Sequence, residues 1–163
     1  MKAKKCLLMA LAAALAMILG VTGVSPNVAL ADEQDDQVEI VVSHNPLESV
    51  KWGPMDCSWY GSSLYMYKTT SVTGSTRYYD GSNVGIEMTC STGGTNACDS
   101  YFSVELHRVS GLSDTYIGSA AFKRSGFTKA TWTNVGSGYY YFKFVKCSDT
   151  QSISSNNVAM YSW

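Results

Sequence analysis

The stretch Thr128–Cys147, TKATWTNVGSGYYYFKFVKC, leaves the backbone around it few choices. Thr128, Ala130 and Trp132 fall on one side of a period-two pattern, with Lys129, Thr131 and Thr133 on the other. Beyond the corner Asn134–Gly138, Tyr140, Phe142 and Phe144 share a face and Lys143 points the opposite way. Alternation of this kind, built from aromatic and β-branched residues, belongs to half-buried antiparallel strands. The glycines between the two runs permit backbone angles that a corner needs and a strand interior resists. The pattern predicts two antiparallel strands joined at a Gly-rich corner.

The same period continues through the rest of the chain. Strands are expected at Ser63–Thr70, with Leu64 and Met66 inward, and at Asn83–Cys90, with Val84, Ile86, Met88 and Cys90 inward. Tyr101–Val109 follows, with Phe102, Val104 and Leu106 inward, then Thr115–Lys123, whose phase is ambiguous, the Thr128–Cys147 pair, and Asn157–Trp163. Turn signals recur about every ten residues and no amphipathic helix appears, so the expectation is all-β: a single antiparallel β-sandwich of about seven strands over residues 52–163.

Gly138-Tyr139-Tyr140-Tyr141-Phe142 resembles the E–F corner of immunoglobulin-like and fibronectin-type-III-like sandwiches, where a Gly-x-Tyr-x-apolar run opens strand F. The resemblance covers about a dozen residues and implies an immunoglobulin-like sandwich with Tyr140 as the corner tyrosine, its hydroxyl bonded back to nearby backbone. Phe142 stands where antibody domains place a cysteine, and Trp132 lies on the strand before the corner rather than on strand C.

Residues 1–31 have the form of a signal peptide. Lys2, Lys4 and Lys5 begin it, Leu7–Leu19 is apolar, and Ala29-Leu30-Ala31 supplies a small-x-small site with cleavage after Ala31. The rival, an uncleaved anchor, is opposed by Gly20, Thr22, Gly23, Ser25 and Pro26, which interrupt the apolar run. The expected location is extracellular, from a bacterium, with no membrane association after cleavage. Loss of the three lysines leaves nine basic and thirteen acidic residues, and six of those acids lie in residues 32–51. That segment reads as an acidic leader or linker, with a propeptide as the alternative and Val38–Val42 as a potential edge strand. From Trp52 onward there are eight bases and seven acids, a balance that argues against binding nucleic acid by phosphate neutralisation.

An exported chain should oxidise its cysteines. If successive strands run antiparallel, Cys57, Cys90, Cys98 and Cys147 gather at one pole, and four cysteines permit three pairings. Cys90 and Cys98 have inward phase and flank a short loop, which favours Cys90–Cys98 with Cys57–Cys147. Both bridges are read as structural.

Catalytic chemistry finds little support. His44 lies in the leader, and His107 reads as a solvent-facing strand residue beside Glu105. No zinc spacing or phosphate-binding loop occurs, so no metal, cofactor or catalytic residue is expected. Glu87 and Glu105, mid-strand and outward, are the carboxylates a glycoside hydrolase would need.

Aromatic surface is the stronger signal. Tyr139 and Tyr141 share an outward face with Lys143, and Tyr65 and Tyr67 share another; these five are the candidate ligand-binding residues. Ordinary cross-strand packing is the competing reading. Trp52, Trp59, Tyr78 and Tyr79 lie near strand ends, and the loops Ser91–Ala97 and Ser148–Asn156 make a second candidate surface. The chain is therefore expected to be a small secreted, non-enzymatic binding module for a cell-surface glycan or protein. The alternatives are a secreted effector, such as an antibacterial protein or protease inhibitor, and a hydrolase using scattered carboxylates. Nothing in the sequence sets its oligomeric state.

Overall fold

Alternation becomes architecture in the computed structural model, which describes residues 37–49 and 58–163, all within the compact unit Asp35–Trp163. The expected signal peptide, its cleavage point, Trp52 and Cys57 lie outside the described residues. The strands are β1 (Ile40–Ser43), β2 (Trp59–Met66), β3 (Ser71–Thr73), β4 (Arg77–Tyr79), β5 (Val84–Gly93), β6 (Tyr101–Ser110), β7 (Ser113–Lys123), β8 (Gly126–Trp132), β9 (Gly138–Val145) and β10 (Ser152–Ser162). Among the described residues there is one short 3-10 turn, Pro46–Glu48, and no α-helix. The first sheet has the order β1-β8-β5-β10-β2; in the second, β9, β6 and β7 follow an edge made by β3 and β4. Every pairing is antiparallel.

Inward residues of both sheets close a single core. Leu64, Met66, Val84, Ile86, Met88, Ala130, Trp132, Ile153 and Met160 come from the first sheet, and Phe102, Val104, Leu106, Phe122, Tyr140, Phe142 and Phe144 from the second. Each fully buried large side chain contributes roughly 1.5–3 kcal/mol over its exposed state. At the β8–β9 corner the chain turns through Asn134 and Gly136, both at positive φ (57° and 73°). Tyr140 is buried beneath that turn, and its hydroxyl donates to Val135 O at 2.5 Å and to Gly136 O at 2.9 Å. Burial raises its pKa. The corner hydrogen bond expected of Tyr140 is present.

Among the described residues ten strands stand, nine of them after residue 52, where about seven were expected. β1 realises the edge-strand reading of Val38–Val42: it pairs with β8 from Ile40↔Trp132 to Ser43↔Lys129. The leader residues that follow stay docked, with Lys129 Nζ donating to Glu48 O at 2.9 Å. β3 and β4 are new. Each has three residues, too few for a period to be read, yet both lie along β9 and the Gly74 N–H bonds Phe142 O between them. They act as one interrupted edge strand.

That extra pass reverses everything after β2 relative to it, which parts the start of β2 from the pole where Cys98 and Cys147 lie. Trp59 and Gly85 both register with Tyr161, so β2 and β5 run parallel and the start of β2 lies at the pole opposite the end of β5. Cys98 bonds Cys147 (Cα–Cα 6.3 Å), not Cys90 or Cys57. The two bonded cysteines flank the adjacent strands β6 and β9, where Ser103 pairs with Val145. Cys90 is unpaired and buried in the core, and burial pushes its thiol up to about 12. Closing 49 residues stabilises by about 4 kcal/mol in the chain-entropy model.

Candidate functional site

Because β9 alternates strictly, Tyr139, Tyr141, Lys143 and Val145 all stand on the outer face of the second sheet, opposite the buried Tyr140, Phe142 and Phe144. Register carries that face across the sheet in rows. Tyr78 on β4 opposes Tyr139; His107 on β6 opposes Tyr141; Glu105 opposes Lys143; Ser103 opposes Val145. β7 adds Tyr116 beside His107, Ser119 beside Glu105 and Ala121 beside Ser103. Four rows at about 6.8 Å make a strip roughly 20 Å long.

Rings occupy one end of the strip. Tyr78 and Tyr139 meet edge to face with centroids 5.2 Å apart. His107 stacks on Tyr141 at 4.9 Å and 3° and meets Tyr116 edge-on at 5.5 Å. Tyr78, Tyr116 and Tyr139 are exposed, so their outer faces remain available for contact. Burial raises the Tyr141 pKa, and the carboxylate of Asp114 adds to the effect.

An ion triad forms the middle. Glu105 Oε2 accepts from His107 Nε2 at 2.9 Å and lies 3.3 Å from Lys143 Nζ. Partial burial alone would raise the Glu105 pKa, but hydrogen bonds from His107 and Lys143 outweigh it and hold the carboxyl below its ordinary value. Small side chains form the far end: Ser103, Ser119, Ala121 and Val145 line an open depression of about 590 Å³, rimmed by Asp99 and Tyr101 and ending at Cys147. The strip thus offers stacking surface, a fixed carboxylate with two donors, and a trough of small residues in line.

The structure keeps the two predicted tyrosine pairs apart. Tyr139, Tyr141 and Lys143 belong to the strip, whereas Tyr65 lies on the outer face of β2 in the other sheet, beside Ser154. Tyr67 lies just past β2, with Lys68 Nζ 5.2 Å from its ring. Glu87 and Glu105 are likewise divided. Glu87 is outward on the first sheet, buried under Ser49, whose Oγ donates to it at 2.5 Å, while Glu105 is outward on the second. The two carboxylates stand on different sheets with the common core on the inner side of each, so they do not form the facing pair that glycoside hydrolysis uses.

His107, read from sequence as solvent-facing, is instead held between Tyr141, Tyr116 and Glu105. Tyr116 was missed. A bulge between Leu106 and His107 shifts the β6–β7 register and turns Tyr116 onto the strip, in the segment whose phase could not be read. Among the described residues the one grouping with metal-ligand chemistry is Cys98, Cys147 and Asp149, whose sulfurs are joined to each other. No family model matches the chain, and no curated protein or solved structure matches it either.

Proposed function

We propose that this protein is a secreted, non-enzymatic binding module that takes an extended glycan chain along the strip of β4, β9, β6 and β7. In this reading the two sheets form an immunoglobulin-like β-sandwich, residues 1–31 direct export from a bacterium, and the mature chain works at the cell surface or in the medium. The observation that carries the reading is the row of rings Tyr78, Tyr139, Tyr141, His107 and Tyr116 running directly into the Glu105–Lys143 pair. Sugar rings present apolar C–H faces to aromatic rings and hydroxyls to carboxylates and ammonium groups. A strip that alternates the two kinds of surface suits them. A protein partner would favour an apolar centre ringed by polar groups, and here the exposed large side chains of the strip are tyrosines with no aliphatic cluster among them.

Titration of the isotopically labelled protein with soluble cell-wall oligosaccharides, followed by amide chemical shifts, tests this reading. Shifts should concentrate at Tyr139, Tyr141, His107 and Glu105. Shifts confined to β2 and β10, or none with any oligosaccharide, would overturn it.

A further inference from the structure

At the pole where β6 begins and β9 ends, an exposed disulfide lies against a buried charge cluster. Asp149 accepts from Arg124 Nη1 and from Lys146 Nζ, each at 2.5 Å, and from the Cys98 N–H at 3.2 Å. All three charged side chains are buried. Lys146 first, then Arg124, hold the Asp149 carboxyl well below the usual range. The cluster therefore carries two cations against one anion. The remaining carboxylate nearby, Asp99, is exposed and caps the Tyr101 N–H.

The surplus positive charge faces the sulfurs. Arg124 is fixed from behind, with Nε donating to Tyr101 O at 3.2 Å and Nη1 to Gln151 Oε1 at 3.3 Å. Its Nη2 has sulfur partners among the described residues, Cys147 Sγ at 3.0 Å and Cys98 Sγ at 3.8 Å. A disulfide sulfur is a weak acceptor for a buried guanidinium, whereas a thiolate in that place would be a strong one and would neutralise the cluster. The carboxylate is biased the other way: Asp149 Oδ2 lies 3.1 Å from Cys98 Sγ and 3.8 Å from Cys147 Sγ, which favours a protonated thiol on Cys98 donating to it. The pole is thus arranged for a reduced state that the oxidised form only half satisfies.

We propose that the Cys98–Cys147 bond is an exchangeable disulfide, opened by an external thiolate that attacks Cys98 while Cys147 leaves as a thiolate held by Arg124. The co-reactant is a thiol or dithiol. Its sulfur bonds to Cys98 Sγ, the Cys98–Cys147 bond breaks, and the electron pair departs on Cys147. A second thiolate then attacks the partner sulfur of the mixed disulfide. Cys98 is released as a thiolate and takes up a proton from water, and the partner leaves as its own disulfide. Two electrons pass from the partner to this protein. Exchange rates rise as the leaving thiol's pKa falls, so Arg124 sets both the direction of attack and the rate. This inference is independent of the glycan reading, although the bond closes the end of the trough.

The native oxidised protein with glutathione gives the first test, with adducts trapped by acid and mapped by mass spectrometry. The mixed disulfide should lie on Cys98; an adduct on Cys147, or no adduct, would overturn the proposal. The second test uses Cys98→Ser and follows carbamidomethylation of Cys147 by iodoacetamide against pH, resolved by peptide mapping from Cys57 and the buried Cys90. Cys147 should titrate at least one unit below the ordinary thiol value of about 8.5. Adding Arg124→Lys should retain the lowered value and Arg124→Gln should restore the ordinary one. An ordinary value with Arg124 intact would contradict the assignment.

Discussion

Two carboxylates in this protein each stand between two bases, and they live in different worlds. On the strip, Glu105 takes His107 and Lys143, with side chains 20%, 14% and 36% exposed. At the pole, Asp149 takes Arg124 and Lys146, with side chains 4%, 3% and 0% exposed. The chemistry is alike and the solvent is not. Exposed ion pairs contribute about 0–1 kcal/mol, because water and side-chain entropy offset the attraction. A buried set holds its members so that removal of one leaves charge without compensation, at about 3–5 kcal/mol. The charges of the pole are therefore committed to the fold whichever state its sulfurs are in, whereas the strip has groups that can exchange partners at little cost to stability.

The largest expected effect is at the pole. Asp149→Asn should lower unfolding stability by about 3–5 kcal/mol in urea denaturation, whereas Glu105→Gln should lower it by less than about 1 kcal/mol. Comparable losses from the two would erase the distinction. Acid should separate them next. The folded pKa of Asp149 lies below its ordinary 3.8, so the stability it contributes is present above that value and is lost as pH falls through it and beyond. Glu105 is lowered too, but as a partly exposed group it should contribute less. Asp149→Asn should accordingly flatten the acid limb of a stability–pH curve, while Glu105→Gln leaves it nearly unchanged. A smaller loss, about 1 kcal/mol, is expected for Tyr140→Phe, which removes the donor to Val135 O and Gly136 O in the corner beneath the strip. If that variant is neutral in thermal melts, the corner bond does not help hold β9 in place.

The strip was largely legible in the sequence and the pole was not, and the reason is range. Tyr139, Tyr141 and Lys143 are two residues apart on one strand, so period two alone puts them on a common face. The hydroxyl bond of Tyr140 was implied by the resemblance of Gly138–Phe142 to a sandwich corner, and it reaches only four and five residues back. The strip's remaining members depended on register: Tyr116 needed the bulge at His107, and Tyr78 sits on a three-residue strand with no readable period. Lys146 and Asp149 flank Cys147 in the one β9–β10 loop. Arg124, however, comes from the β7–β8 turn and Cys98 from the approach to β6, and only tertiary structure brings those two to the carboxylate. The disulfide assignment failed for two reasons. Counting strand reversals skips a step when β3 and β4 are overlooked, which puts the start of β2 at the wrong pole. The inward phase of Cys90 also buries it in the core rather than beside the exposed Cys98.

Co-sedimentation with purified Gram-positive cell walls, comparing three forms of the oxidised protein, tests the central claim that ligand binds the open strip. The account predicts saturable pelleting of the wild type, a loss of at least about tenfold in affinity for Tyr139→Ala/Tyr141→Ala as two stacking surfaces disappear, and no change for Tyr65→Ala/Tyr67→Ala on the other sheet. Failure of the wild type to pellet, or unchanged binding by the Tyr139→Ala/Tyr141→Ala variant, would contradict it.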